Sequence, residues 1–236
     1  MVTVKKGDYV SVEFSGYTDG ELFDSNVAKD LKKLDPEGKQ EAKPLEVIVG
    51  EGMVVPGFDA GLEGAEVGKE KKIEVSAAEG YGERHKSLVR VIPLKVFTEQ
   101  NVTPQPGMSL MLQQGMMKIL SVGGARVTAD MNHPLAGKDL TFTFVVKKKI
   151  TDEKAKVGLV LKMLFRQVPS HRVEDNAKEA SSSDTSNTKK GDGVRGRVVV
   201  EGPKALEQFV AAFGEKFKGL VGKDLAWEEK DEKKSN

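Results

Sequence analysis

The residues of this chain that could do chemistry are mostly apolar, and they concentrate between Lys43 and Tyr81. The run VVPGFDAGLEG places Phe58 and Leu62 four residues apart, a spacing that puts both side chains on one face of a short helix. Nothing in the stretch resembles a nucleophile with its base. The sequence therefore predicts an apolar pocket at the centre of the protein rather than an acid–base site.

Strands on either side of this helix must position it. Leu45, Val47 and Val49 alternate with polar residues, which predicts a strand that ends at a glycine turn. Ile73 and Val75 alternate with lysines, which predicts a second strand with its apolar face inward. A short helix that lies across such a sheet can form the floor of a pocket.

The remaining strands of this sheet are predicted from both ends of the first 150 residues. Residues 1–24 read as two strands around an Asp19-Gly20 turn, and the polar residues 25–43 as a loop or bulge. Residues 139–150 read as a closing strand whose lysine-rich end is solvated. Its inward residues are Leu140, Phe142, Phe144 and Val146.

Composition excludes several classes of function. The 37 Lys and Arg nearly balance the 36 Asp and Glu, so no strong field favours nucleic acid or membrane partners. The chain has no cysteine, which excludes disulfides and thiolate sites, and its N-terminus lacks an apolar signal segment. We expect a cytoplasmic protein with no cofactor and no metal site.

Three segments together resemble the FKBP family of peptidyl-prolyl cis/trans isomerases. They are Lys43–Tyr81, VEFSGYTDGELFDS at Val12–Ser25 and NHPLAGKDLTFTFVV at Asn132–Val146, and they occur in the family order. The resemblance implies an α+β fold in which an antiparallel sheet wraps on a short helix. It assigns residues 1–83 and 131–150 to the isomerase domain.

Residues 84–130 interrupt that domain and carry strand patterns of their own. The patterns are SLVRVIP, GMSLMLQQ, MMKILSV and ARVTADM, separated by glycine turns. A segment of this length with so much β pattern is expected to be a folded subdomain. It resembles the β-rich insert-in-flap chaperone domain of SlyD-like bacterial and long-type archaeal FKBPs.

The resemblance also implies which residues form the site. It implies that the Val55 backbone N–H donates a hydrogen bond to the substrate carbonyl and that the Tyr81 hydroxyl bonds the bound ligand. It also implies that Asp24 lies beside the twisting amide. The implied catalytic residues are Phe14, Asp24, Val55, Phe58, Tyr81 and Phe142. The implied substrate-binding residues of the same domain are Phe23, Leu45, Val54, His133 and Leu135.

Other interpretations of these residues stay open. The phenylalanines could be ordinary core residues, and Asp24 could be a turn or cap residue. Phe14, Leu45 and Phe58 replace a tyrosine, an aromatic residue and a tryptophan that are usual in the family. All three changes keep the cavity apolar, so we expect isomerase activity. They leave the affinity for the family's macrolide inhibitors open.

Four of the eight methionines fall close together in the insertion. Flexible, polarizable side chains suit a surface that accepts many partners, so we assign them to the binding of unfolded chains. The alternative is that they fill a small core. These residues are Met108, Met111, Met116 and Met117.

Residues 151–236 read as a separate α-β-α-β domain. The first helix carries Val157, Leu161, Leu164 and Val168 at helical spacing, and the low-complexity segment 180–193 follows. VRGRVVV and LVGKDLAW read as strands, on either side of a helix between Pro203 and Gly219. The apolar face of that helix exceeds what two strands could cover, which predicts a homodimer. The face consists of Leu206, Phe209, Val210, Phe213 and Phe217.

The leading hypothesis is thus a prolyl isomerase with built-in chaperone activity, whose partners are unfolded or partly folded proline-containing proteins. The alternative is a holdase or binding module with weak isomerase activity. A third hypothesis is an oligomerisation adaptor built around residues 151–236.

Overall fold

A computed structural model of the chain describes residues 2–112, 115–174 and 196–230. It divides into two compact units, one of Met1–Lys6 and Ser11–Lys148, the other of Gly7–Val10 and Lys149–Asn236. The described residues contain mainly antiparallel sheets and a few helices, which confirms the predicted α+β class. The three predicted domains, 1–83 with 131–150, 84–130 and 151–236, stay a prediction.

The first unit contains a five-stranded sheet in the order β2-β1-β9-β4, with β3 paired to β1. Asp19 and Gly20 both have positive φ, 52° and 81°, which is the geometry of a tight hairpin turn between β1 and β2. The predicted hairpin and closing strand are both confirmed. The strands are β1 (Tyr9–Thr18), β2 (Glu21–Ser25), β3 (Leu45–Ile48), β4 (Glu70–Val75) and β9 (Leu140–Lys149).

Helix α2 (Pro56–Leu62) buries the predicted pair Phe58 and Leu62. Two glycines on this helix allow it to lie close to β4. A Cβ on Gly57 would lie 2.5 Å from Cγ1 of Val75, and a Cβ on Gly61 would collide with the Ile73 side chain. Only glycine fits between the helix and the strand here.

The prediction for residues 25–43 was wrong in part, because they contain helix α1 (Ala28–Leu34). Its single buried residue, Leu31, gives no helical period that the sequence could reveal. The helix is fixed by tertiary bonds instead: the Ser15 hydroxyl donates to the Asp30 carboxylate at 2.9 Å.

The insertion folds as a four-stranded antiparallel sheet in the order β5-β8-β7-β6. All four predicted strands are confirmed, and a short helix, α3 (Leu94–Thr98), was not predicted. The core of this sheet consists of Phe97, Met117, Ile119, Val127 and Ala129. The strands are β5 (Val89–Pro93), β6 (Ser109–Leu112), β7 (Gly115–Val122) and β8 (Arg126–Asp130).

The second unit has the order α-β-β-α-β, so the predicted α-β-α-β order was wrong. The additional strand, β10, is short and carries His171-Arg172-Val173-Glu174, a pattern too brief to reveal a strand. It pairs antiparallel with β11, and β12 pairs parallel with β11. The elements are α4 (Glu153–Phe165), β10 (His171–Glu174), β11 (Arg197–Gly202), α5 (Ala205–Val221) and β12 (Asp224–Glu229).

The two helices of this unit differ from their predicted extents. Helix α5 continues past Gly219 and ends at Gly222, whose φ of 77° allows the left-handed cap that ends helices. Val168 lies beyond the end of α4, so it does not belong to that helix face. The low-complexity segment 180–193 lies outside the described residues.

Among the helices that the structure describes, none is long and apolar enough to cross a membrane.

Candidate functional site

Three phenylalanine rings from separate elements meet in the first unit. Phe58 of α2 and Phe142 of β9 are stacked, with ring centroids 4.6 Å apart and planes 7° apart. Phe14 of β1 lies 5.5 Å from Phe58 and 6.2 Å from Phe142. All three are at most 9% exposed, so they form a buried aromatic cluster.

The same cluster continues to the surface through Phe23 and Tyr81. The Phe23 ring meets Phe142 edge-on at 5.9 Å and Tyr81 at 6.4 Å. Tyr81 in turn stacks on His133, with centroids 4.2 Å apart and planes 8° apart. Tyr81 is 36% exposed, so it forms the end of the cluster that faces solvent.

Gly16 makes this arrangement possible, and sequence reasoning missed it. A Cβ at Gly16 would lie 2.7 Å from Cζ of Phe23 and 3.0 Å from Cε1 of Phe142. Any side chain here would push the two rings apart. A glycine in the interior of a predicted strand was the available signal, because such glycines mark close approach.

Asp24 lies beside Tyr81 at the exposed end of the cluster. Desolvation raises the pKa of the Asp24 carboxyl, against a hydrogen bond from the Ser25 backbone that lowers it. Burial raises the pKa of the Tyr81 hydroxyl, and the nearby Asp24 charge raises it further. Tyr81 is therefore a neutral hydrogen-bond donor at neutral pH.

His133 is held in one tautomer when its ring is neutral. The Leu135 backbone N–H donates to Nδ1 of His133 at 3.2 Å, which leaves the proton on Nε2. Desolvation lowers the pKa of His133, so the neutral ring predominates at neutral pH. Leu135 thus acts on the site through its backbone, by orienting the ring that Tyr81 stacks on.

The loop between β3 and α2 carries Val54 and Val55, both half-buried. The Val55 carbonyl accepts the N–H groups of Phe58 and Asp59 at 2.9 and 3.0 Å. Within the described part of the chain, the Val55 N–H itself has no acceptor, so it is available to a ligand. Leu45 is half-buried at the start of β3, the strand that leads into this loop.

Asp59 holds the loop between β3 and α2 in place, and it was not identified from the sequence. Its buried carboxylate accepts the backbone N–H groups of Gly50 and Gly52 at 2.8 and 2.9 Å. An aspartate on the buried face of an apolar helix, shortly after a Gly-Glu-Gly turn, was a signal that the sequence contained.

The four methionines of the insertion separate into two groups. Met117 is 4% exposed and lies in the sheet core, so its assignment to a binding surface was wrong. Met111, 76% exposed, pairs directly with Met116 across β6 and β7, and Met108 is also exposed. The period of two along β7 decides which methionine faces inward.

Polar bonds tie together the two chain segments that join the insertion to the five-stranded sheet. Arg84 forms an ion pair with Asp130. Asn132 donates its backbone and side-chain N–H groups to Asp130 at 2.9 and 2.6 Å, and exchanges bonds with the His85 backbone at 2.8 and 3.0 Å. Burial acts to raise the pKa of Asp130, but the bonds from Asn132 and Arg84 outweigh it and lower that pKa.

The described residues contain no group of three or more His, Cys, Asp and Glu side chains that could hold a metal ion.

The sequence matches two known families. Residues 2–95 match the family described as FKBP-type peptidyl-prolyl cis-trans isomerase, and residues 90–135 match the FKBP26 IF domain. The short-type peptidyl-prolyl cis-trans isomerase of Methanocaldococcus jannaschii is 40% identical over 147 residues, which span 61% of this chain and 92% of the relative.

Bacterial relatives are more distant. The FKBP-type peptidyl-prolyl cis-trans isomerase SlyD of Haemophilus influenzae is 32% identical over 149 residues, covering 61% of this chain and 70% of the relative. SlyD of Yersinia pestis is 34% identical over 123 residues, covering 50% of this chain and 63% of the relative.

Proposed function

This chain belongs to the FKBP-type peptidyl-prolyl cis-trans isomerase family, and we propose that X–Pro bonds rotate in its aromatic cluster. One observation carries the proposal: a buried apolar site, with Phe14, Phe58 and Phe142 in mutual contact, lies in the same domain as the available Val55 N–H.

The chemistry of the reaction fits such a site. Rotation about an X–Pro bond breaks amide resonance, and the barrier is about 18–20 kcal/mol. The twisted amide is less zwitterionic than the planar one, so an apolar, water-poor cavity favours the transition state over the ground state. The reaction needs shape and one or two fixed donors, and neither an acid nor a base.

Individual residues then have distinct roles. Phe58 and Phe142 hold the proline ring, with Phe14 beside them. The Val55 N–H and the Tyr81 hydroxyl donate to carbonyl groups of the bound chain. Asp24 places a negative charge near the rotating amide, and Phe23, Leu45 and Val54 line the approach.

We also propose that the insertion captures unfolded chains and delivers them to this site. The support is the exposed apolar side chains of its sheet. Met111 and Met116 pair across β6 and β7, Leu120 lines the same pocket as Met116, and Met108 and Leu112 are exposed at alternate positions. Exposed apolar patches of this kind mark sites of protein interaction. The clients are unfolded or partly folded proteins that contain proline.

A pair of assays on two proteins tests both proposals. Full-length protein and a variant that lacks residues 84–130, in which residue 83 is joined to residue 131, are compared on a short X-Pro peptide and on a protein whose refolding is limited by proline isomerisation. We expect peptide isomerisation to persist in the variant and acceleration of refolding to fall sharply. Undiminished refolding activity in the variant would show that the insertion does not capture clients.

A holdase with weak isomerase activity is the second candidate, and the 76% exposure of Met111 is the observation that favours it. The peptide assay separates the two, because a holdase leaves the isomerisation rate of an unstructured peptide unchanged.

We further propose that residues 151–236 form a homodimer interface. Most of the predicted apolar face is buried or half-buried within the unit, and Phe209 stays 54% exposed. A dimer would present two isomerase sites to one client and raise their effective concentration. A cytoplasmic location also stays a prediction, which cell fractionation would test.

A further inference from the structure

A pocket of about 450 Å³ lies between the flap, residues 132–138, and the open face of the insertion sheet. Met116, Lys118 and Leu120 of β7 line its sheet side. His133 lines the pocket on the flap side and also stacks on Tyr81 at 4.2 Å. One residue therefore borders both the aromatic cluster and this pocket.

The lining of the pocket has an excess of positive charge. Arg84, Lys118 and Lys138 contribute cations, and Asp130 is the single carboxylate among the lining residues. Both oxygens of Asp130 are already engaged, one by Arg84 and the other by Asn132. The carboxylate is therefore not free to neutralise the two lysines.

The cations can accept a new anionic partner. Within residues 2–112, 115–174 and 196–230, no ion pair joins the Lys118 ammonium group to an acidic side chain, although Lys118 lies opposite Asp130 in the pairing of β7 with β8. Lys138 bonds Asp19 at 2.8 Å, but that aspartate is 74% exposed, and such surface pairs exchange at little cost. Arg84 uses only its Nη2 end on Asp130.

We propose that this pocket binds an acidic side chain of the client, so that the enzyme prefers prolines with a nearby Asp or Glu. The inference rests on the proposed function, because it requires the proline to occupy the aromatic cluster. An extended chain advances about 3.3 Å per residue and a pocket of this volume is about 10 Å across, so the acidic residue lies about two to four residues from the proline.

The apolar neighbours of Lys118 sharpen this specificity. An anion that reaches Lys118 lies beside Met116 and Leu120, where part of the surrounding water is displaced. A carboxylate with an aliphatic stem fits such a mixed surface, because its methylene groups contact the apolar side chains. A client that carries a lysine at the same position meets like charge and is disfavoured.

A peptide series tests the inference. An unstructured peptide with one proline carries glutamine at every flanking position, and single Gln→Glu changes are made two, three and four residues before or after the proline. We expect kcat/KM to rise about three- to tenfold for glutamate at one or more positions, the range expected of one or two partly exposed ion pairs. The ratio should shrink in about 0.5 M salt, because screening weakens such pairs.

Variants of the protein assign the effect to the pocket. In the double variant Lys118→Gln/Lys138→Gln the ratio of glutamate to glutamine peptide should fall toward one, with only the contribution of Arg84 left. The matched control Lys72→Gln/Lys148→Gln removes the same charge from exposed strand positions and should keep the preference. The single variant Lys118→Glu should favour a peptide with lysine at the same position.

The outcomes of these assays separate the inference from the proposed function. If wild-type protein isomerises glutamate and glutamine peptides equally at every position, the inference is wrong and the proposed function still stands. A preference that is undiminished in Lys118→Gln/Lys138→Gln would also overturn it. If no peptide is isomerised at all, the proposed function itself fails.

Discussion

Tyr81 forms the outer end of the aromatic cluster, and its hydroxyl is the group that we expect to bond the client. Tyr81→Phe should lower kcat/KM several-fold, because a hydrogen bond of this kind contributes about 0.5–1.5 kcal/mol. Tyr81→Ala should lower it further, since the stack on His133 is lost as well. Peptide isomerisation measures both effects. A folded Tyr81→Ala variant with full activity would remove this residue from the site.

Phe142 combines a role in the site with a role in the core. Because its ring is only 3% exposed and contacts Phe14, Phe23 and Phe58, Phe142→Ala should destabilise the fold by about 3–5 kcal/mol and abolish most activity. Phe142→Leu keeps most of the volume and separates the two roles. We expect it to fold with lowered activity, measured by urea unfolding and by peptide isomerisation on the same sample.

Gly16 gives a sharper test of how the rings are positioned. Gly16→Ala places a methyl group where Phe23 and Phe142 now lie, so one ring must move, at a cost of about 1–3 kcal/mol. Activity should fall with stability. Gly214→Ala in helix α5 is the matched control, since nothing lies within 4 Å of its added Cβ and alanine favours a helix. It should not lower either quantity.

At the scale of elements, two segments connect the isomerase sheet to the insertion, and Asp130 joins them. Its pKa lies below the ordinary value of 3.8, so the unfolded chain binds the proton more tightly than the folded chain. The stabilisation is therefore fully present above pH 3.8 and is lost as the pH falls through the lower folded value.

Replacing Asp130 should expose this dependence. Wild-type protein should lose stability to urea as the pH falls below about 4, and Asp130→Asn should lose less over the same range. The variant should be less stable at neutral pH, because Arg84 loses its ion-pair partner. Parallel urea titrations at several pH values check this. An equal slope against pH in both proteins would mean that other carboxylates dominate.

At the scale of the whole molecule, residues 151–236 are expected to hold two copies together. Packing inside the second unit covers part of the apolar face of α5. Phe165 meets Phe213 edge-on at 5.9 Å, and Phe217 is buried. Phe209 is the large aromatic residue that this packing leaves 54% exposed. A substitution of Phe209 is therefore expected to weaken contact with a symmetric partner.

Light scattering across a dilution series measures the oligomeric state. We expect a dimer at micromolar concentration, and a shift toward monomer in Phe209→Ser and after truncation at Ile150. Val91→Ser, which changes an equally exposed valine on the insertion, should leave the mass unchanged. A full-length protein that is already monomeric at micromolar concentration would refute the dimer.

The sequence by itself determined the strands whose apolar residues alternate with polar ones and the turn that a characteristic dipeptide marks. The alternation of Leu140, Phe142, Phe144 and Val146, the four strand patterns of the insertion and the Asp19-Gly20 turn all sufficed to predict what the structure contains. Local patterns succeed here because burial on one face of a strand repeats every two residues.

The tertiary structure decided what no short stretch encodes. Phe14 and Phe58 are 44 residues apart in the sequence, and Phe58 and Phe142 are 84 residues apart. The three rings are in contact only because of how the strands of the whole sheet pair. Pairing with β11 makes β10 a strand, and the register of β7 puts Met117 inside and Met116 outside. The role of Gly16 depends on the rings that pack against it, and the role of Asp59 depends on the backbone N–H groups that donate to it. Burial and hydrogen bonds between distant segments outweigh the weak propensity of short segments, so these features follow from the fold and not from the local sequence.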